Sequence, residues 1–274
     1  RPPMSFYTSL TGLKNSQTEL NVISHNLANA ETSGFKKSTV QFADIVAVSV
    51  LTDPSLTQGI GSRVSAIQQN FSLGPIQQTG SSLDLTVNGD GFFTTKAPLS
   101  GNTEFTRAGS FSVDGNGYVK SASGNRLQLF PVNASGVVTS TTTLIDAQIP
   151  ATNAGGAEFA GASVTPEGAV VASYADGTNT TIGVVALANF ISPVGLKQLG
   201  SGNWSQSGLS GAPTYGQPGA GRFGPLLSGA IERSNVDIAE ELVGLIGAQR
   251  NFQANAKAID TETQIGQTII NLRS

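Results

Sequence analysis

No cysteine occurs in the 274 residues, which excludes disulfides, thiolate nucleophiles and cysteine-held metals. Histidine is nearly absent too: His25 stands alone, so no Cys/His or His-cluster arrangement can be built. Charged residues make up 12% of the chain, half of the roughly 25% usual in soluble domains. Eighteen acids against 15 bases leave a net charge of −3, and no basic patch is interleaved with aromatics, so nucleic acid is not an expected partner. No apolar run approaches the ~18 residues of a membrane span. The opening stretch, RPPMSFYTSL, lacks an apolar core and a small-residue cleavage site. No cleavable secretory signal is therefore expected, and Met4 makes Arg1–Pro3 read as an upstream extension. In place of charge come 33 glycines and many Ser, Thr, Asn and Gln. A surface poor in charge is weakly defended against association, a first sign of self-assembly.

Two segments carry helical periodicity. Over 5–31, Phe6, Leu13, Leu20 and Leu27 recur at every seventh position with Leu10 and Ile23 in support, and Gly34 is the expected helix stop. Over 235–272, Ile238, Leu245, Phe252 and Ile259 recur in the same way beside Leu242. Ser234 is the expected N-cap of this second helix, with Asp237 three positions on and Glu240 and Glu241 at the dipole's positive end. Each stripe is narrow, and a helix that buries so little is marginal in water by itself. The two stripes are thus expected to pair with each other as a coiled coil. Ile269, Ile270, Leu272 and the alanines Ala248, Ala254, Ala256 and Ala258 leave apolar and small surface for further neighbours.

Between the helices the period falls to two. SSLDLTVNGDGFF (81–93) alternates Leu83, Leu85 and Val87 with polar residues, turns at Asn88-Gly89 and resumes at Phe92, which predicts a half-buried strand and a hairpin. Two more turns are expected at 114–117 and 123–125, and further strands at 144–149, 168–174 and 182–190. An Ala/Gly-rich passage (151–162) and a Gly/Pro-rich one (211–225) punctuate the body. The predicted fold class is α+β, with terminal helices around a central, mainly antiparallel all-β body. The expected division is 4–33 with 234–274 as a helical domain, 34–70 as an extended connection and 71–233 as a β-rich domain.

Catalytic and cofactor chemistry finds no purchase. GAGRFG (219–224) spells a dinucleotide fingerprint, but Pro213, Pro218 and Pro225 surround it and no helix is predicted to open on it. DGNG (114–117) resembles the start of a calcium loop, yet the closing acid would fall at Asn125, so a hairpin turn is the expected reading. Asp84 and Asp90 sit at turn edges with nothing to select them as a general acid–base pair. His25 is expected as a solvated helix residue. No enzyme activity, cofactor or metal is expected. A β-rich enzyme, for which the sequence offers no candidate pair, and a monomeric adhesin, which would not need matching stripes at both ends, are the competing classes.

ISHNLANAETSGFKKSTVQFADI (23–45) resembles the N-terminal signature of the flagellar rod and hook family of axial proteins, through Asn26, Leu27, Ala28, Asn29, Thr32, Gly34, Phe35 and Lys36. Segments 59–93, 105–119 and 224–259 are similar to that family's later blocks, in order. SFYTSLTGL and QRNFQANAKAI are spelled like the hook member, although the chain is short of the hook's outer domain, of which 147–165 would be the remnant. The resemblance implies a structural subunit that self-assembles into the hook, a curved universal joint, with the distal rod, a rigid drive shaft, as the alternative. It implies type III export, an extracellular or basal-body location in the flagellum, and partners that are copies of itself, the distal rod protein, the hook cap and the hook–filament junction. The residues implied for self-assembly are Leu13, Leu20, Ile23, Leu27, Leu242, Leu245, Phe252 and Ile259. Asn26, Asn29, Gly34 and Phe35 would form the corner that leads the chain into the β-body.

Overall fold

The computed structural model describes residues 4–46 and 59–271. Arg1–Pro3, Leu272 and the side chain of Ile270, all invoked above, lie outside the described residues. The chain divides into two compact units, one of residues 1–30, 37–70 and 236–274, the other of residues 31–36 and 71–235.

The first unit is built on α1 (Met4–Ala28) and α2 (Ile238–Asn271), with a two-stranded hairpin, β1 (Ser38–Val46) and β2 (Gly59–Gln69), packed on α1. β1 and β2 run antiparallel, with register shifts after Gln41 and Ile45. The helices also run antiparallel: Gly12 faces Asn255, Ile23 faces Gly244, and Asn26 bonds to Glu241.

Both helix ends differ from expectation. Helix α1 stops at Ala28, well before Gly34; Asn29 closes its last turn, its backbone amide (3.2 Å) and its side-chain Nδ2 (2.9 Å) both donating to the His25 carbonyl. Helix α2 starts at Ile238 rather than 235. Asp237, not Ser234, caps it, its Oδ1 accepting from the amides of Ala239 (2.8 Å) and Glu240 (3.2 Å), while Ser234 is buried.

The second unit is all β. Its main sheet runs through strands 159–164, 169–174, 179–185, 126–130, 92–96, 103–106, 203–205 and 197–200 in that spatial order, every pair antiparallel. One core gathers Leu85, Val87, Phe93, Leu129, Val185 and Leu226; a second gathers Phe92, Phe105, Phe190 and Trp204 edge to face. The turns at 114–117 and 123–125 form as expected, with Asp114 Oδ1 accepting the Asn116 and Tyr118 amides.

The predicted hairpin at Asn88-Gly89 does not form. Leu85–Val87 pairs instead with Leu226–Ser228, and all three of its residues are buried rather than alternating. Gly89 and Gly91, at φ 136° and 127°, carry the chain outside the tight-turn region, and the Asn88 amide bonds to Pro225 O. Local alternation was overridden by a partner strand far along the chain. The Ala/Gly-rich passage is a tight turn, closed from Gly156 N to Asn153 O, that feeds strand 159–164.

Candidate functional site

The helix pair holds the residues singled out for assembly. Its closest approach is lined by small and polar side chains: Gly12, Ser16, Ile23 and Asn26 on α1, and Glu241, Gly244, Ala248 and Asn255 on α2. Their spacing by three, four or seven places them on one face of each helix. A Cβ on Gly12 would stand 2.6 Å from Asn255 Oδ1, and Ala248 is wholly buried. The predicted large residues lie beside this line. Ile23 is the only buried one of the eight; Leu13, Leu20, Leu27, Leu245, Phe252 and Ile259 are half-buried, and Leu242 is 43% exposed. Next to Leu242, Ile238, Val243 and Ile246 are also exposed, which makes an open aliphatic strip on the first turns of α2. Among the described residues of this unit, the buried apolar side chains are Ile23, Ala30 and Ala248 alone. A core of one isoleucine and two alanines is very thin for two long helices.

Polar contacts substitute for part of that missing core. Asn26, 1% exposed, works as a clamp: its Nδ2 donates to Ser38 O (2.8 Å) and Glu241 Oε2 (3.1 Å), and its Oδ1 accepts from Ser38 N (2.9 Å). The amide thus imitates a strand partner at the start of β1. Glu241 is also held by Lys37, at 2.8 Å, which bridges to Glu240 at 3.0 Å. Burial alone would lower the Lys37 pKa, but the two carboxylates outweigh it and hold the ammonium above its ordinary range.

In the second unit, Gly34, Phe35 and Lys36 form a buried corner. Gly34 is left-handed at φ 70°, donates its amide to Glu232 O (2.8 Å), and sits where a Cβ would be 2.4 Å from the Ala108 amide nitrogen, so only glycine fits. Sequence reasoning singled out Gly34 and Phe35 but missed the charge centre beside them. Lys36 is wholly buried; its Nζ meets Glu232 Oε1 at 2.5 Å and donates to Ser72 O at 2.6 Å. Gly74 N donates to the same Glu232 oxygen, and Arg107 Nη1 stands 3.5 Å from the other. Burial lowers the Lys36 pKa, against the pull of Glu232, and lowers that of Arg107 likewise. The available signal was a lysine next to Gly34-Phe35 in the signature segment.

Among the described residues, the charged groups brought together at these two places form ion pairs that position backbone. Three family models match the chain: "Flagella basal body rod protein" over residues 6–36, "Flagellar hook protein FlgE/F/G D1 domain" over 86–172 and "Flagellar basal body rod FlgEFG protein C-terminal" over 227–272. The flagellar basal-body rod protein FlgG of Bacillus subtilis is 35% identical across 98% of both chains, and that of Buchnera aphidicola from Schizaphis graminum is 32% identical across 98% of this chain and 99% of its own. The flagellar hook protein FlgE of Salmonella typhimurium is 25% identical, in an alignment stretched to 411 positions. The hook reading, which rested on the spelling of the terminal helices, is thereby not specifically supported: rod proteins match end to end, whereas the hook protein needs far more chain between the same ends. This chain belongs to the flagellar rod and hook family of structural axial proteins.

Proposed function

We propose that this protein is a subunit of the distal flagellar rod, a straight, rigid drive shaft, rather than of the hook. The observation that carries the choice is the 35% identity to a rod protein over 98% of both chains. Self-assembly is the mechanism: the exposed strip Ile238, Leu242, Val243 and Ile246 and the half-buried leucines of α1 are covered by other copies. Burial of a large aliphatic side chain contributes about 2 kcal/mol, so such contacts repeated along a polymer supply the core that one copy lacks. The corner Asn26, Asn29, Gly34 and Phe35 is proposed as the passage by which the chain leaves the assembling helices for the β-body, and the subunit is exported before its helices are covered. Immunogold labelling of isolated flagella tests the location. Label confined to the envelope-spanning segment is expected; label along a curved external segment would return the hook reading.

A further inference from the structure

Strand 92–96 of the β-rich unit has a different feature at each of its ends. Beyond Lys96 the chain makes a short hairpin into strand 103–106, closed by Ala97 N to Asn102 O (3.0 Å) and Gly101 N to Ala97 O (2.9 Å). Leu99 stands at its tip, fully exposed. A tied-down turn that holds a large aliphatic side chain in water is a rigid knob, and a rigid group loses little freedom when it is covered.

At the other end, beyond Phe92, lies a cavity of about 240 Å³, walled by Phe190, Ile191, Ala220 and Phe223 with Arg222 beside them. Strand 187–189 leads to it: Leu187 and Ala188 pair with Phe93 and Phe92, so Asn189 and Phe190 run past the start of strand 92–96. A cavity of roughly 150 Å³ takes up a benzene molecule, so this one has room for a leucine side chain. Ile191, 90% exposed, leaves a second aliphatic side chain in water at its wall. Five strand residues at about 3.3 Å each put roughly 17 Å between knob and cavity, so neither serves the other within one chain.

The charges at the two ends are complementary. Lys96, at the base of the hairpin, is exposed and forms no ion pair among the described residues. Asp90, which shares the adjoining cleft with Phe190 and Arg222, is exposed and equally without an ion pair there. Copies stacked end to end bring Lys96 of one against Asp90 of the next, an attraction that fixes register more than it adds affinity.

We propose that the Leu99 hairpin of one copy inserts into the cavity between Phe190 and Phe223 of the next, with Lys96 facing Asp90 across the contact. Knob and cavity are different surfaces at opposite ends of a strand, so the contact is head-to-tail. Every addition leaves one free knob and one free cavity, which is what an open-ended polymer requires. The inference rests on the assembly of copies proposed above, though not on the choice between rod and hook, and it adds a contact between β-rich units to the one made by the helices.

Sedimentation of the full-length protein over a range of concentrations tests it. Leu99→Ala should raise the concentration needed for assembly about thirtyfold, the loss of one buried aliphatic side chain. Ala220→Trp, which fills the cavity, should act in the same direction. Lys96→Glu should weaken assembly, and Asp90→Lys added to it should restore assembly. All four positions are exposed, so each variant keeps the circular dichroism and unfolding midpoint of the parent. The chain has no cysteine, so Leu99→Cys protein copolymerised with Ala220→Cys protein and oxidised yields a disulfide-linked pair only if the two positions meet. Ala122→Cys, exposed at the hairpin's own end of the sheet, should give no such pair. Assembly of Leu99→Ala at the parent's concentration, polymers without the cross-link, or a Lys96→Glu defect that Asp90→Lys leaves in place overturns this contact and leaves assembly through the helices standing. Parent protein that stays monomeric at every concentration overturns both.

Discussion

Asn26 ties three parts of the chain with one amide: α1, which carries it, the first residue of β1, and Glu241 on α2. Asn26→Ala would leave the Ser38 amide and carbonyl and one Glu241 oxygen without this partner in a buried place. Each such loss costs about 1–3 kcal/mol, and the expected total is about 3 kcal/mol because the groups relax together. Chemical denaturation measures it, and fast hydrogen exchange at the Ser38 amide localises it. The adjacent lysines make a second test. Lys37 has its pKa raised in the folded state, so its stabilising contribution is complete below the ordinary 10.5 and is lost as pH climbs through the folded value. Lys36 is shifted down, so the unfolded chain binds the extra proton between its folded value and 10.5, and stability from that group rises with pH there. Lys37→Met should therefore lessen the alkaline decline in the unfolding midpoint, and Lys36→Met should make that decline steeper.

Helices α1 and α2 approach closely because their facing line is Gly12, Ser16, Gly244 and Ala248 rather than leucine. Two substitutions separate the inner line from the outer strip. Ala248→Leu overpacks a wholly buried position and should destabilise the helix pair by about 2 kcal/mol. Leu242→Asp changes an exposed side chain, so the isolated protein should keep its helical circular dichroism and its midpoint within about 0.5 kcal/mol. In concentrated solution, however, a carboxylate placed in a contact between copies should abolish polymers visible by electron microscopy. Normal polymers from Leu242→Asp would show that the strip faces solvent in the assembly.

At the scale of the whole molecule the apolar content is unevenly shared. The β-rich unit holds both aromatic and aliphatic cores, while the unit of terminal helices buries Ile23, Ala30 and Ala248 among its described residues. Local opening is governed by buried apolar contact, so the helical unit should open first. Limited proteolysis of dilute protein is expected to remove α1 and α2 and to leave a resistant fragment close to residues 71–235. The same protease should leave the terminal helices intact once the protein has polymerised. Equal resistance of both units in dilute protein would contradict a helical unit that depends on its neighbours.

The sequence by itself determined what repeats locally or is absent altogether. Seven-residue spacing of Phe6, Leu13, Leu20 and Leu27 and of Leu245, Phe252 and Ile259 made both helices legible. Asp114, Gly117 and Gly124 announced their turns, and the lack of cysteine and near-lack of histidine removed whole classes of chemistry. Long-range pairing was decided only in the tertiary structure. Leu85–Val87 chose Leu226–Ser228 over its neighbour, and the line between the helices moved off the leucines onto small residues. Lys36 found Glu232 across nearly two hundred residues. Periodicity reports which face of an element is apolar, whereas the partner that face or charge meets depends on closing loops whose ends lie far apart in sequence.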